Sequence, residues 1–200
     1  MSQFKYLGVW FSDKVNLKEA ADCFVGSVFA GWKEVLNIVR RFGVREVPHA
    51  MLFLIQTFVL PRALYSSQVW GVDFLNIKSC FTSKLQKCMM GIYKHVLGVD
   101  RSVRSDCLLD EVGAKHLQFY WLKSCITFWN KSMDSSNRIL RDVCFLDTRL
   151  SLRRGTTWTA KLQKALKQLT VDNDTTYDQH LSYEGNLCSL NIPKVLDDWQ

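Results

Sequence analysis

Residues 16–42 read NLKEAADCFVGSVFAGWKEVLNIVRRF. Apolar side chains recur there at Leu17, Ala20, Ala21, Phe24, Val25, Val28, Phe29, Trp32, Val35, Leu36, Val39 and Phe42. The steps between them are threes and ones, which gather on one face of a 3.6-residue turn and on neither face of a strand. Asn16 can cap the first turn, with Glu19 at the capping-box position. Gly43 supplies the stop, and Arg40 and Arg41 sit where the helix dipole favours cations. A helix of this length and patterning predicts a mainly α fold.

Downstream the same signals repeat. Pro48 suits the first turn of a second helix. That helix is apolar nearly all round from Ala50 to Leu60 and is expected to be central. Pro61 should end or kink it, with a resumption over Ala63 to Trp70. A third helix carries Ile77, Cys80, Phe81, Leu85, Cys88, Met89, Ile92, Tyr93, Val96 and Leu97, with Lys84, Lys87 and Lys94 off the stripe. Gly98 ends it, and a basic loop follows over 100–105. Further helices are expected over 106–112, 115–133, 137–152 and 158–169, the last capped by Thr157. Upstream, Phe4 to Ser12 is rich in β-formers and predicts a short strand or half of a hairpin. The fold class is therefore mainly α, a bundle of about five to seven helices with a short N-terminal β-strand or hairpin.

Charge is uneven. The chain has 200 residues and a net charge of +7. By residue count the balance is +5 over residues 1–100, +7 over 101–171 and −5 over 172–200. The body is more basic than the total suggests, and an acidic tail, expected to be loosely held with at most one short element near Leu196, masks part of it. Such a body suits a polyanionic partner through phosphate contacts. The basic groups fall in clusters: Arg40, Arg41 and Arg45, then Lys84, Lys87 and Lys94, then Arg101 and Arg104, and finally Lys161, Lys164 and Lys167. The 7 cysteines are scattered without a C-x-x-C pair, and no signal peptide is visible. That pattern fits a reducing intracellular compartment, nucleus or cytoplasm. The apolar run at 50–60 is too short to span a bilayer, so no membrane partner is expected.

Catalytic patterns are missing. The adjacent carboxylate pairs are Asp110-Glu111 and Asp197-Asp198, and neither lies in the apolar strand–turn–strand that would hold two metal ions rigidly. The histidines, His49, His95, His116 and His180, show no metal-ligand spacing with each other or with cysteine. No Gly-rich phosphate loop occurs. No metal or other cofactor is expected in this chain.

One resemblance organises these features. Phe4-Lys5-Tyr6-Leu7-Gly8-Val9 resembles the block just after the palm in non-LTR, LINE-type retrotransposon reverse transcriptases. The order of the features downstream of that block is also similar. A long helix carries Ala20, Ala21 and Trp32. A Pro-x-x-x-Tyr-x-x-x-x-Trp-Gly pattern runs from Pro61 through Tyr65 to Trp70 and Gly71. Leu97-Gly98-Val99 makes a turn, Asp110-Glu111-Val112-Gly113 an acidic helix end, and Phe128-Trp129 closes an aromatic helix. The resemblance covers about residues 4–133.

The resemblance implies a palm-edge strand with a primer-grip-like block over 1–15 and a thumb-like helical domain over 16–133. A basic helical extension over 134–171 and the acidic tail over 172–200 complete the expected organisation. It places the fingers, the palm and the catalytic Asp-Asp with its Mg2+ upstream, so the segment alone would be inactive as an RNA-directed DNA polymerase. The implied partners are the backbone of an RNA–DNA or DNA duplex and the rest of the polymerase. Lys5, Tyr6, Leu7 and Gly8 are candidate contacts by resemblance. Arg40, Arg41, Lys84, Lys87, Lys94, Arg101 and Arg104 are candidates by charge. Tyr65 and Trp70 match the family pattern and read as core. The competing expectation is a helical protein-interaction module from a decayed or repurposed element, whose aromatic faces meet protein; a self-contained hydrolase or transferase would need a polar pocket that no motif announces.

Overall fold

A computed structural model describes residues 3–6, 9–12, 18–43, 47–76 and 79–169, with backbone alone up to residue 22. The chain is mainly α-helical. Among the described residues the helices are α1 (Lys18–Phe42), α2 (Pro48–Leu64), α3 (Ser67–Trp70), α4 (Lys84–Leu97), α5 (Ser105–Val112), α6 (Leu117–Met133), α7 (Arg138–Ser151) and α8 (Trp158–Leu169). Asn16, Leu7, Gly8 and the acidic tail lie outside the described residues.

The chain divides into two compact units that interleave along the sequence. Unit 1 takes Met1–Ser66 with Cys80–Leu117, and unit 2 takes Ser67–Ser79 with Gln118–Gln200. The boundaries thus fall inside the stretch 16–133 expected to be one domain.

In unit 1, α1 buries Phe24, Val28, Trp32, Val35 and Val39. These are members of the periodic stripe read from the sequence. They meet Met51, Ile55, Val59 and Ala63 of α2 and Leu85, Met89, Ile92 and Tyr93 of α4. Helices α1 and α2 approach closely at Gly31, where a Cβ would lie 2.8 Å from the Phe58 carbonyl oxygen. The α2 helix is buried along one face only; Phe53 and Phe58 are exposed, so the expectation of a helix buried on all sides does not hold.

Pro61 does not end α2. A proline ring would collide with the carbonyl four residues back and cannot donate to it. Here the turn before it widens into a π-helical segment, Ile55–Val59, in which the Leu60 N–H donates to the Ile55 carbonyl five residues back. Within the widened turn the Phe58 carbonyl accepts from Arg62 Nε at 3.1 Å. Such insertions let a helix continue past a break in its regular ladder. The helix ends instead at Leu64, where Tyr65 leaves the helical region (ψ 125°) and Ser66 takes a positive φ of 52°. Tyr65 is consequently exposed, not core, whereas Trp70 is buried.

The third expected helix starts later than its apolar residues suggest. Ser83 accepts from the Gln86 N–H at 3.1 Å and sets the start of α4 at Lys84. A Ser side chain in extended backbone is a strong N-cap. Gly98 and Gly113 end α4 and α5 with φ of 64° each, the left-handed stop that the sequence announces.

Unit 2 is built on indoles. Trp70 and Trp121 meet edge to face at 5.2 Å, and Trp129 stacks on Trp158 at 6.1 Å. Around them Val72, Leu122, Cys125, Ile126, Cys144, Leu162 and Leu166 close the core. Gly71 lets the chain pass within van der Waals reach of Trp121, where a Cβ would meet the Trp121 Cβ at 3.2 Å. Asn137 caps α7 through the Ile139 and Leu140 N–H groups, and Thr157 caps α8 through the Ala160 N–H.

Candidate nucleic-acid interface

The periodicity of α4 separates its two faces. Leu85, Met89, Ile92 and Tyr93 turn inward, while Lys84 and Lys87 stand exposed and Lys94 is half-buried. Beside the outer face runs a groove of about 750 Å³ within unit 1. Phe29 and Trp32 of α1 form one side, the turn residues Gly98, Val99 and Arg101 the other, and Gly91 leaves bare backbone in the middle of α4. A Cβ at Gly91 would meet nothing within 4 Å. Three cations, Lys87, Lys94 and Arg101, line the groove together with His95, and its lining contains no carboxylate. Trp32 packs edge to face with His95 at 5.7 Å.

The three cations are not equivalent. Lys94 Nζ donates to the Arg101 carbonyl at 2.6 Å and to the Val103 carbonyl at 2.7 Å. It holds the 98–105 loop against α4 and so fixes where Arg101 stands, with at most one donor left for a ligand. Lys87 and Arg101 are exposed. Arg104 lies off the groove and forms a bidentate pair with Asp106 at the start of α5. The Arg104 hydrogen bond is the main cause that holds the Asp106 carboxyl below its usual range. Asp100 is likewise held low, chiefly by the Ser102 side-chain and backbone hydrogen bonds, with Lys94 adding to it.

Of the sequence-derived candidates, then, Lys87, Lys94 and Arg101 converge on one groove. Lys84 and Arg104 do not line it. Arg40 and Arg41 are exposed at the end of α1, with the Arg41 guanidinium 6.0 Å from the Phe42 ring. Lys5 and Tyr6 belong to residues described by backbone alone, and Leu7 and Gly8 lie outside the described residues. The basic stripe on α8 is partly neutralised, since Lys161 pairs with Asp73. The groove walls Phe29 and Trp32 carried only a core signal in the sequence, and nothing in the sequence joins them to His95 or Arg101.

Burial pushes the Cys88 thiol up to about 11, so the cysteine in the groove is protonated at neutral pH and a poor nucleophile. Among the described residues no group of three or more His, Cys, Asp or Glu could hold a metal ion, and no single helix is long and apolar enough to cross a membrane. Comparison with protein-family models, with curated proteins and with solved structures finds no match.

Proposed function

We propose that this chain is a thumb-like, duplex-gripping segment similar to the post-palm region of a non-LTR retrotransposon reverse transcriptase, without polymerase chemistry of its own. The observation that carries the reading is the groove along α4, where Lys87 and Arg101 stand free of carboxylates beside a bare helix backbone at Gly91. Cations of this kind hold phosphate oxygens without reading bases. The N-terminal block supports the same reading at the level of backbone: Gln3–Tyr6 runs antiparallel to Val9–Ser12, with Phe4 opposite Phe11. A two-stranded hairpin is marginal alone, and an edge of this kind suits continuation into a larger sheet.

The test is binding of the full chain to a short RNA–DNA duplex, read by fluorescence anisotropy across a salt series. Affinity should fall steeply with salt. Exchanging Lys87 and Arg101 together for glutamate should flatten the log–log slope by about 2, one for each phosphate contact removed. An affinity that ignores salt, or a double variant that binds as the parent does, refutes the reading. Lys94 is left out of that variant because its reversal would release the loop that positions Arg101. The second reading, a protein-interaction module, is favoured by a different surface, the outer face of α7.

A further inference from the structure

Helix α7 has two apolar faces, and only one is used. Cys144 is buried and Leu140 packs against the unit 2 core. On the opposite side Ile139, Val143, Leu146 and Leu150 are 75%, 56%, 58% and 46% exposed. Ordinary surfaces scatter such side chains singly. Here the four form one continuous stripe, and their spacing of four, three and four is that of the seam of a two-stranded coiled coil, with Ile139 and Leu146 at d and Val143 and Leu150 at a. About three turns of seam on a capped 14-residue helix call for another helix of matching pattern.

The charges beside the stripe specify which helix. With this register Asp142 and Arg149 occupy the two g positions, and Asp147 falls at e. Side chains at e and g set partner choice and orientation in such pairs. In a parallel pair of identical helices, g of one faces e of the other, which sets Asp142 against Asp147. In an antiparallel pair g faces g, which sets Asp142 against Arg149 twice by symmetry. Antiparallel packing also places Val143 across from Leu146 and Ile139 across from Leu150, so the seam is self-complementary as a two-fold interface requires. Asp147 is already engaged, accepting from the Thr159 N–H at 2.8 Å, and Asp142 makes only a 3.6 Å intrahelical contact with exposed Arg138.

We infer that the outer face of α7 is a homodimer interface, on which a second copy of this chain docks its own α7 antiparallel. The seam is short, with four apolar residues from each helix. The association is accordingly weak, with dissociation constants of about 10–100 µM. The inference rests on unit 2 alone and is independent of nucleic-acid binding.

Sedimentation equilibrium of the full chain from about 1 to about 200 µM spans this range. The average mass should rise from that of a 23.2 kDa monomer toward twice that value. Leu146→Asp should hold it at the monomer. Asp142→Arg and Arg149→Asp should each weaken association about tenfold by making both g–g′ contacts repulsive, and the combined exchange should restore it to within about threefold of the parent. The exchanged side chains are exposed, so circular dichroism should be unchanged in every variant. A chain that stays monomeric throughout the range overturns the inference, whichever other segment or protein covers the stripe. So does a Leu146→Asp variant that still associates, or a combined exchange that associates no better than its two parents.

Discussion

The two units place their resources differently. Unit 2 is centred on indoles: Trp70 meets Trp121 and Trp129 stacks on Trp158 in its interior, and its partly buried charges are paired, Lys161 with Asp73 and the Asp147 carboxylate with the first turn of α8. Unit 1 is drawn tight where α1 crosses α2 but open along α4, where cations line a groove without carboxylates. Its polar contacts serve position: Lys94 pins a loop, and Gln86 Oε1 accepts from the Leu117 N–H at 2.7 Å within the buried interior. The contrast teaches that deep aromatic burial and exposed positive charge are kept in separate units. Large aromatic burial fills the interior of one, while the other maintains exposed charge on a closely packed helical frame.

The contrast breaks most visibly at the centre of unit 2. Trp129→Ala removes a buried indole from a stack and should cost about 3–5 kcal/mol, read as a fall in the urea midpoint. Hydrogen exchange should show the loss concentrated in amides of α6, α7 and α8. Equal loss of protection along α1 and α2 would mean that the two units unfold as one. The counterpart in unit 1 is Gly31→Ala. Its Cβ would press on the Phe58 carbonyl and the Arg62 side chain, and α1 must shift away from α2. Overpacking of this kind costs about 1–3 kcal/mol, and here protection should fall in α1 and α2.

Acid should separate the units further. Among the described residues every histidine belongs to unit 1. Burial holds the His116 imidazole down to about 4 from its ordinary 6.5, with Lys115 adding to the effect; its ring sits edge-on to Phe81 at 6.4 Å. The unfolded chain takes up a proton near pH 6.5, and the folded chain does not until about pH 4. The contribution is therefore full above 6.5 and is lost progressively as pH falls toward 4. The loss should be roughly 2 kcal/mol once solvent screening of the ring's exposed edge is allowed for. Urea midpoints between pH 7 and 4.5 measure it, and His116→Gln should remove most of the slope.

What the sequence made legible was local. The stripe of α1, the cap at Thr157 and the stops at Gly43, Gly98 and Gly113 are each written within a few residues of where they act. The start of α4 at Ser83 was written there too, but the apolar residues before it masked the cap. Long-range placements were not legible. Nothing near Pro61 announces the π turn, or that the Arg62 side chain will serve the Phe58 carbonyl. Nothing in the basic stripe of α4 distinguishes Lys94, whose partners lie seven and nine residues downstream, from Lys87, which stands open. The interleaving of the units was hidden for the same reason. Residues 67–79 join 118 onward because Trp70 and Val72 find their apolar partners there, a choice made by packing and not by local pattern.

Gly91 offers the smallest effect and the sharpest separation of the two roles. A glycine in mid-helix costs up to about 1 kcal/mol relative to alanine, and at Gly91 an added Cβ meets nothing within 4 Å. Gly91→Ala should therefore raise stability by roughly 0.5–1 kcal/mol, the opposite sign to the same exchange at Gly31, where the neighbouring helix is in the way. The methyl group would stand in the groove between Lys87 and Arg101. If a duplex backbone lies close against bare helix there, the stabilised variant should bind it more weakly while keeping the parent's salt slope, because the cations are untouched. Unchanged affinity would place the ligand along the rims of the groove, held by Lys87 and Arg101 without touching its floor.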